Sequence, residues 1–168
     1  MGDIGVDFAA LGIFPLCVAD IRLEADAPIA LGKSPWRNRR VSHIAGGVVS
    51  GTRLHGAVTP GGGDWSELGL EENGDALTLL DVRSLWRTHD GADIYVSYQG
   101  RLVIPHSLLG VFRNADAVEA LDPSSYYFRI APLFETADPR YAWLNRIVAI
   151  GAGKRTRAGV RYTLFEIQ

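Results

Sequence analysis

The sequence predicts an all-β fold: a closed antiparallel β-barrel of about eight to ten strands with one or two short helical turns. Three observations carry this. Apolar and polar residues alternate with a period of two through most of the chain, as in strands that face core on one side and water on the other. Glycine supplies 19 of the 168 residues, above the usual level of about 7%, which implies many turns and few long helices. Helical periodicity is scarce. A large antiparallel sheet without helices to cover it must close or fold over itself, so a barrel is expected first and a two-sheet sandwich second.

The elements follow in order. Ala19-Asp20-Ile21-Arg22-Leu23-Glu24 alternates cleanly, and Val41–Val49 forms a second extended run ending in Gly46-Gly47-Val48-Val49-Ser50-Gly51. Arg53–Thr59 is its expected partner, stopped by Pro60 and the glycines that follow. Ala76–Thr88 is long, with Thr78, Leu80, Val82 and Trp86 on one face and Leu77, Leu79, Asp81, Arg83, Leu85 and Arg87 on the other. Asn73-Gly74 and Asp90-Gly91 flank it and favour two-residue hairpins, so an antiparallel meander is expected here. Ala92–Gln99, with Gly100 as the next corner, then Tyr126–Leu133, Arg146–Ile150 and Val160–Ile167 complete the strands. Asn114 is an expected N-cap for two helical turns reaching Leu121, and Asp138-Pro139 starts a short turn through Leu144.

Composition bounds the function. The length suits one domain spanning residues 1–168, and 47% hydrophobic with 21% charged residues allows a sizeable core. A net charge of −2 argues against nucleic acid, whose phosphates select basic surfaces. Cys17 is the lone cysteine, which excludes a disulfide framework and points to a reducing, cytoplasmic compartment. Asp3 and Asp7 without a basic segment argue against a secretory leader, and no apolar run reaches the roughly 18 residues of a membrane span.

Few residues suit metal or covalent chemistry. His43, His55, His89 and His106 show no metal-ligand spacing, so no metal is expected; only strand pairing would bring His43 and His55 together. Cys17 between Leu16 and Val18 reads as core. Gly61-Gly62-Gly63-Asp64-Trp65 lacks the ending of a phosphate loop. It is either a tight corner that aims Asp64 or a simple turn whose backbone N–H groups bind that carboxylate.

Arg83, mid-strand beside Asp81, either forms a structural ion pair or offers a guanidinium to an oxyanion, and Arg129 poses the same choice. Trp65, Trp86, Tyr95, Tyr98, Tyr126, Tyr127, Phe134, Tyr141 and Trp143 are enough aromatics to line a small-molecule cavity, or simply to fill the barrel. Arg37, Arg39 and Arg40 read as a solvated basic loop rather than an anion site.

Several segments together match one pattern: Gly46-Gly47 through Gly51, Gly62-Gly63-Asp64-Trp65, Asp81-Val82-Arg83 and Thr88-His89-Asp90-Gly91-Ala92. Tyr127-Phe128-Arg129, Phe134-Glu135-Thr136, Tyr141-Ala142-Trp143-Leu144-Asn145 and Gly151-Ala152-Gly153 extend it. In this the chain resembles the DUF3237 family, also called UPF0311, from about Leu11 to its end. The resemblance implies a compact, self-associating barrel with a pocket inside or at its mouth. It also implies cofactor-independent lyase chemistry on lignin-derived aromatics, with Asp64, Arg83, Tyr98, Arg129 and Asn145 near the pocket.

The reading is then a cofactor-free lyase or isomerase acting on a small phenolic or carbonyl substrate, by C–C cleavage with formaldehyde release or by proton-transfer isomerisation. Asp64 is the expected base, Arg83 and Arg129 hold the developing oxyanion, and Tyr98 or Asn145 donates a further hydrogen bond. Trp65, Asp81, Trp143 and Asn145 are expected to contact substrate. Arg83→Ala is expected to keep the fold and lose most turnover. The alternative is a barrel that carries or senses an aromatic ligand without transforming it; a lumen wholly filled by side chains would instead mark a structural role.

Overall fold

The computed structural model describes residues 11–26 and 28–168; Asp3 and Asp7, on which the expectation of no leader rests, lie outside them. Ten strands run β1 (Ile13–Leu23), β2 (Ile29–Lys33), β3 (Asn38–Ser50), β4 (Gly56–Val58), β5 (Gly63–Leu70), β6 (Ala76–Thr88), β7 (Asp93–Ile104), β8 (Tyr127–Glu135), β9 (Val148–Arg155) and β10 (Gly159–Ile167). The one α-helix among the described residues is a single short segment, α1 (Leu109–Arg113). Every pairing is antiparallel, and the order β1-β10-β9-β8-β7-β6-β4-β3 closes because β1 also pairs with β3. Closure pairs the outer strands β1 and β3 with each other, so β2, which pairs with β3 alone, keeps the open edge.

Two ring positions are filled by interrupted strands. β4 and β5 share the slot between β3 and β6, and β1 and β2 lie in turn along one edge of β3. The expected corner at Gly61-Gly62 makes the first interruption. Both glycines have positive φ, and a Cβ on Gly62 would lie 2.3 Å from the Arg83 carbonyl oxygen. The backbone therefore approaches β6 as closely as only glycine permits.

Alternation places the core in the lumen. On β6, Thr78, Leu80, Val82, Ser84, Trp86 and Thr88 are buried, and β8 buries Phe128, Ile130, Pro132 and Phe134. Gly153 on β9 makes room for the Phe128 ring, which would lie 2.6 Å from an added Cβ. One end of the barrel is closed by the 3₁₀ turn Ala142–Arg146, whose Leu144 is fully buried.

Some expectations shift. Asn73-Gly74 and Asp90-Gly91 do turn the chain, but only the glycines have positive φ. Gly74 N donates to Glu71 O and Glu71 N to Asp75 O, a turn closed by a left-handed glycine rather than a two-residue loop, and Thr88–Ala92 repeats it. Gly100 is no corner; β7 runs through it to Ile104. The helix precedes Asn114 instead of following it: the Asn114 side chain accepts from the Asp116 and Ala117 amides, and only a 3₁₀ turn at Val118–Ala120 results.

Candidate functional site

Asp64 enters the lumen through strand register. It lies opposite Ser42 on β3 and Val82 on β6, and directly opposed residues share a face, so its side chain points inward with Val82. Between Asp64–Val82 and Glu67–Leu79 the β5–β6 ladder is interrupted. The amide thereby left free, that of Asp81, donates to Asp64 Oδ1 (3.2 Å), and the buried Ser66 hydroxyl donates to Oδ2 (2.6 Å). Burial nevertheless raises the Asp64 pKa above its usual carboxylate value, against the pull of these two bonds and of the Arg40 charge.

Facing it are two phenols. Tyr98 and Tyr162 are buried edge to face with ring centroids 5.6 Å apart, and Phe128 meets Tyr162 in the same way at 5.3 Å. Burial, aided by the Asp64 charge, pushes both their pKa values up. Asp64, Tyr98 and Tyr162 border an inner void of about 40 Å³, room for a water-sized group and not for a ring.

A larger cavity of about 750 Å³ opens where β1 leaves β3 before β2 begins. Ser42 and Arg155 form part of its wall, and Leu23 borders both this cavity and the inner void. Volumes of this size hold small organic ligands. Leu23 is thus the partition between a ligand-sized space and the carboxylate.

The other residues expected at the site lie elsewhere. Arg83 and Asp81 project outward on the odd-numbered face of β6, where they pair at 3.4 Å and the Arg83 side chain is 51% exposed. Arg83 also rests 5.6 Å over the outward Trp65 ring. The Asp81 side chain faces an external groove, and only its backbone reaches Asp64. Arg129 is outward on β8, bonded to the Phe128 carbonyl and lying over Tyr127. The parity of each strand that buries Val82 or Phe128 inside puts these charges outside.

Trp143 and Asn145 sit at the closed end. Asn145 clamps Thr136 through two 2.9 Å bonds to its backbone, and Trp143 stacks under Arg53 (3.9 Å), which pairs with Glu166. Val82, opposite Asp64, lies six residues along β6 from Thr88 at that end, roughly 20 Å. His43 and His55 do not meet: His43 lies opposite Gly63, and His55 stacks on His89 at 3.7 Å. Among the described residues, no three His, Cys, Asp or Glu gather as metal ligands. No helix among them is long and apolar enough to cross a membrane.

The family model described as "Protein of unknown function (DUF3237)" matches residues 16–167. The chain belongs to the DUF3237 family. A UPF0311 protein of Clostridium acetobutylicum is 31% identical over 151 residues, 89% of this chain and 91% of the relative. The crystal structure of a conserved protein of unknown function from Rhodopseudomonas palustris shares the barrel, with a TM-score of 0.78 and 28% identity over 96% of this chain and 99% of that one. The crystal structure of an enzyme from Penicillium herquei shares the fold at a TM-score of 0.63 and 18% identity, covering 98% and 100% of the two chains.

In this DUF3237 barrel three participants had no local signal in the sequence: Tyr162, Arg40 and Arg155. Arg40 lies opposite Ser66 and Arg155 opposite Val160, which places both on the lumen face at the end of the barrel beside Asp64. Arg40 belongs to the segment that reads as a solvated loop. Its inward direction appears only once β3 starts at Asn38 and Arg40 falls in step with Ser42 and Ile44. Chemically, this barrel offers one partly buried carboxylate with a raised pKa, a buried phenol pair and two partly buried guanidiniums.

Proposed function

We propose that the protein is a cofactor-independent lyase or isomerase in which Asp64 removes a proton from a small aromatic or carbonyl substrate. The observation that carries this reading is the partly buried Asp64 carboxylate, its pKa raised chiefly by desolvation, beside the buried Tyr98–Tyr162 phenol pair. A raised pKa suits proton abstraction, because it makes the ionised carboxylate a stronger base than an ordinary one. Substrate enters the 750 Å³ cavity and extends its reacting C–H or O–H past Leu23. The Tyr98 hydroxyl donates to the oxygen on which negative charge develops. C–C cleavage with loss of formaldehyde and double-bond migration both follow from that abstraction. The solved barrel from Penicillium herquei that is called an enzyme supports a catalytic use of the fold in general terms.

The test is exchange into deuterated water. Phenolic acids, aryl propanediols and stilbenes that raise the melting temperature are incubated with protein in D2O and followed by NMR. Wild type is expected to exchange or convert a bound compound, and Asp64→Asn to do so at least about a hundredfold more slowly. Binding without exchange or conversion would instead mark a carrier of aromatic ligands. That second reading draws on the small inner void, which leaves a ring outside the lumen.

A further inference from the structure

We infer that the natural ligand is a small organic carboxylate whose acid group docks between Arg40 and Arg155, with its reacting end directed at Asp64. The inference rests on the proposed proton-transfer site and names the class of molecule that site receives.

The argument starts from two guanidiniums without carboxylate partners. Among the described residues, eight arginines form ion pairs with Asp or Glu: Arg37, Arg39, Arg53, Arg83, Arg87, Arg140, Arg157 and Arg161. Arg40 and Arg155 are absent from that set although both are partly buried. The Arg40 Nε is fully buried with no hydrogen-bond partner, the one such side-chain atom among the described residues. An orphaned charged donor is costly, and its retention calls for an explanation, a bound ion or a catalytic use among them.

The two cations also burden each other. Burial and, after it, the Arg40 charge lower the Arg155 pKa, so the pair shares one field. Arg155 Nη1 is held by the Thr156 carbonyl (2.6 Å) and by that of Gly159, which fixes its guanidinium at the cavity wall. The Arg40 charge does influence Asp64, but that carboxylate is already bonded to Ser66 and the Asp81 amide. Glu24 and Asp26 line the same cavity from the β1–β2 connection and would disfavour a ligand negative at both ends. A monoanion with an uncharged body fits this distribution. A planar carboxylate matches the fork of a guanidinium, and the cavity, lined by Arg155 and by Val41 and Ser42 next to Arg40 on β3, accepts a ligand of one-ring size.

Binding of cinnamate, cinnamamide and cinnamyl alcohol, measured by calorimetry on the Asp64→Asn protein, tests the inference apart from turnover. Cinnamate is expected to bind at least about tenfold more tightly than its neutral analogues, and tighter to Asp64→Asn than to wild type. Arg40→Gln and Arg155→Gln should each erase that preference, while Arg83→Gln on the outer face leaves it intact. Arg40→Gln should also raise the melting temperature of the unliganded protein, because it removes an unpaired buried donor; a structural arginine would lower it. Equal affinity for acid and amide, no binding of cinnamate at millimolar concentration, or inorganic phosphate binding as tightly as cinnamate would each overturn the inference. Catalytic failure with the cinnamate preference intact would overturn only the proton-transfer reading.

Discussion

At the scale of single residues, Asp64 sets function against stability. Its pKa is higher in the folded chain than in water, chiefly through burial, so the native state binds that proton more tightly than the unfolded state does. Stability from this group is therefore complete below the unfolded carboxylate pKa and is lost as pH rises through the folded one. Asp64→Asn should raise the melting temperature at neutral pH, and the gain should vanish below about pH 4. A gain that persisted unchanged into acid would mean that the ionisation of Asp64 does not cause it. The rate of wild-type exchange should rise with pH along a limb above the ordinary carboxylate range, since only the ionised form is a base. Arg83 carries the opposite expectation from its sequence reading. Exposed and paired only with Asp81 on the outer wall, it should tolerate Ala with turnover within about twofold and stability within about 0.5 kcal/mol. A large loss of rate in folded Arg83→Ala would return it to the mechanism.

Elements explain why some of this was legible in sequence. β6 reads residue for residue from Ala76 to Thr88 because its inward positions are apolar or Thr/Ser and its outward positions are charged or Leu. β5 escapes the same reading: its inward positions around the site are Asp64 and Ser66, so the function itself breaks the alternation. β2 escapes because all five of its residues are exposed, leaving no buried face to betray it. Gly100, Gly151 and Gly153 resemble corners yet lie inside strands, where neighbouring side chains occupy the space of a Cβ. Gly62 is the element-level determinant of the site, since its turn swings the chain from β4 to β5 and so aims Asp64. Gly62→Ala should cost at least about 1–3 kcal/mol from its positive φ alone, with the collision against Arg83 adding to it. Denaturant unfolding with an unchanged midpoint would show the corner to be looser than its geometry. Asn145→Ala, at the far end, should cost about 1–3 kcal/mol by orphaning the Thr136 backbone while leaving exchange in the folded protein unaffected.

For the whole molecule, the barrel must be both core and container, and the two demands meet at Leu23. Tyr98 and Tyr162, with Phe128 packed on Tyr162, crowd the lumen so that little space remains beside Asp64, while the ligand-sized volume lies in the wall where β1 gives way to β2. No local pattern announces this arrangement. It depends on β1 closing against both β3 and β10, and on strand register placing Arg40 and Arg155, 115 residues apart in sequence, on the lumen face of β3 and β9. Asp64 and Tyr98 were legible because their chemistry is visible in isolation; Arg40, Arg155 and Tyr162 acquire theirs only through closure. If Leu23 is the partition, trimming it should join the two spaces. Leu23→Ala should cost about 1–2 kcal/mol, less than a fully buried leucine because the residue is only partly buried. In return, bulky aryl acids should stabilise the variant more than wild type in thermal-shift titrations, and exchange at positions nearer their rings should appear. Leu23→Trp should do the reverse, closing the passage and slowing exchange while cinnamate still binds at the arginines. If neither substitution changed which ligands bind or where they exchange, substrate would have to reach Asp64 by another route, and the wall cavity would lose its claim to be the entrance.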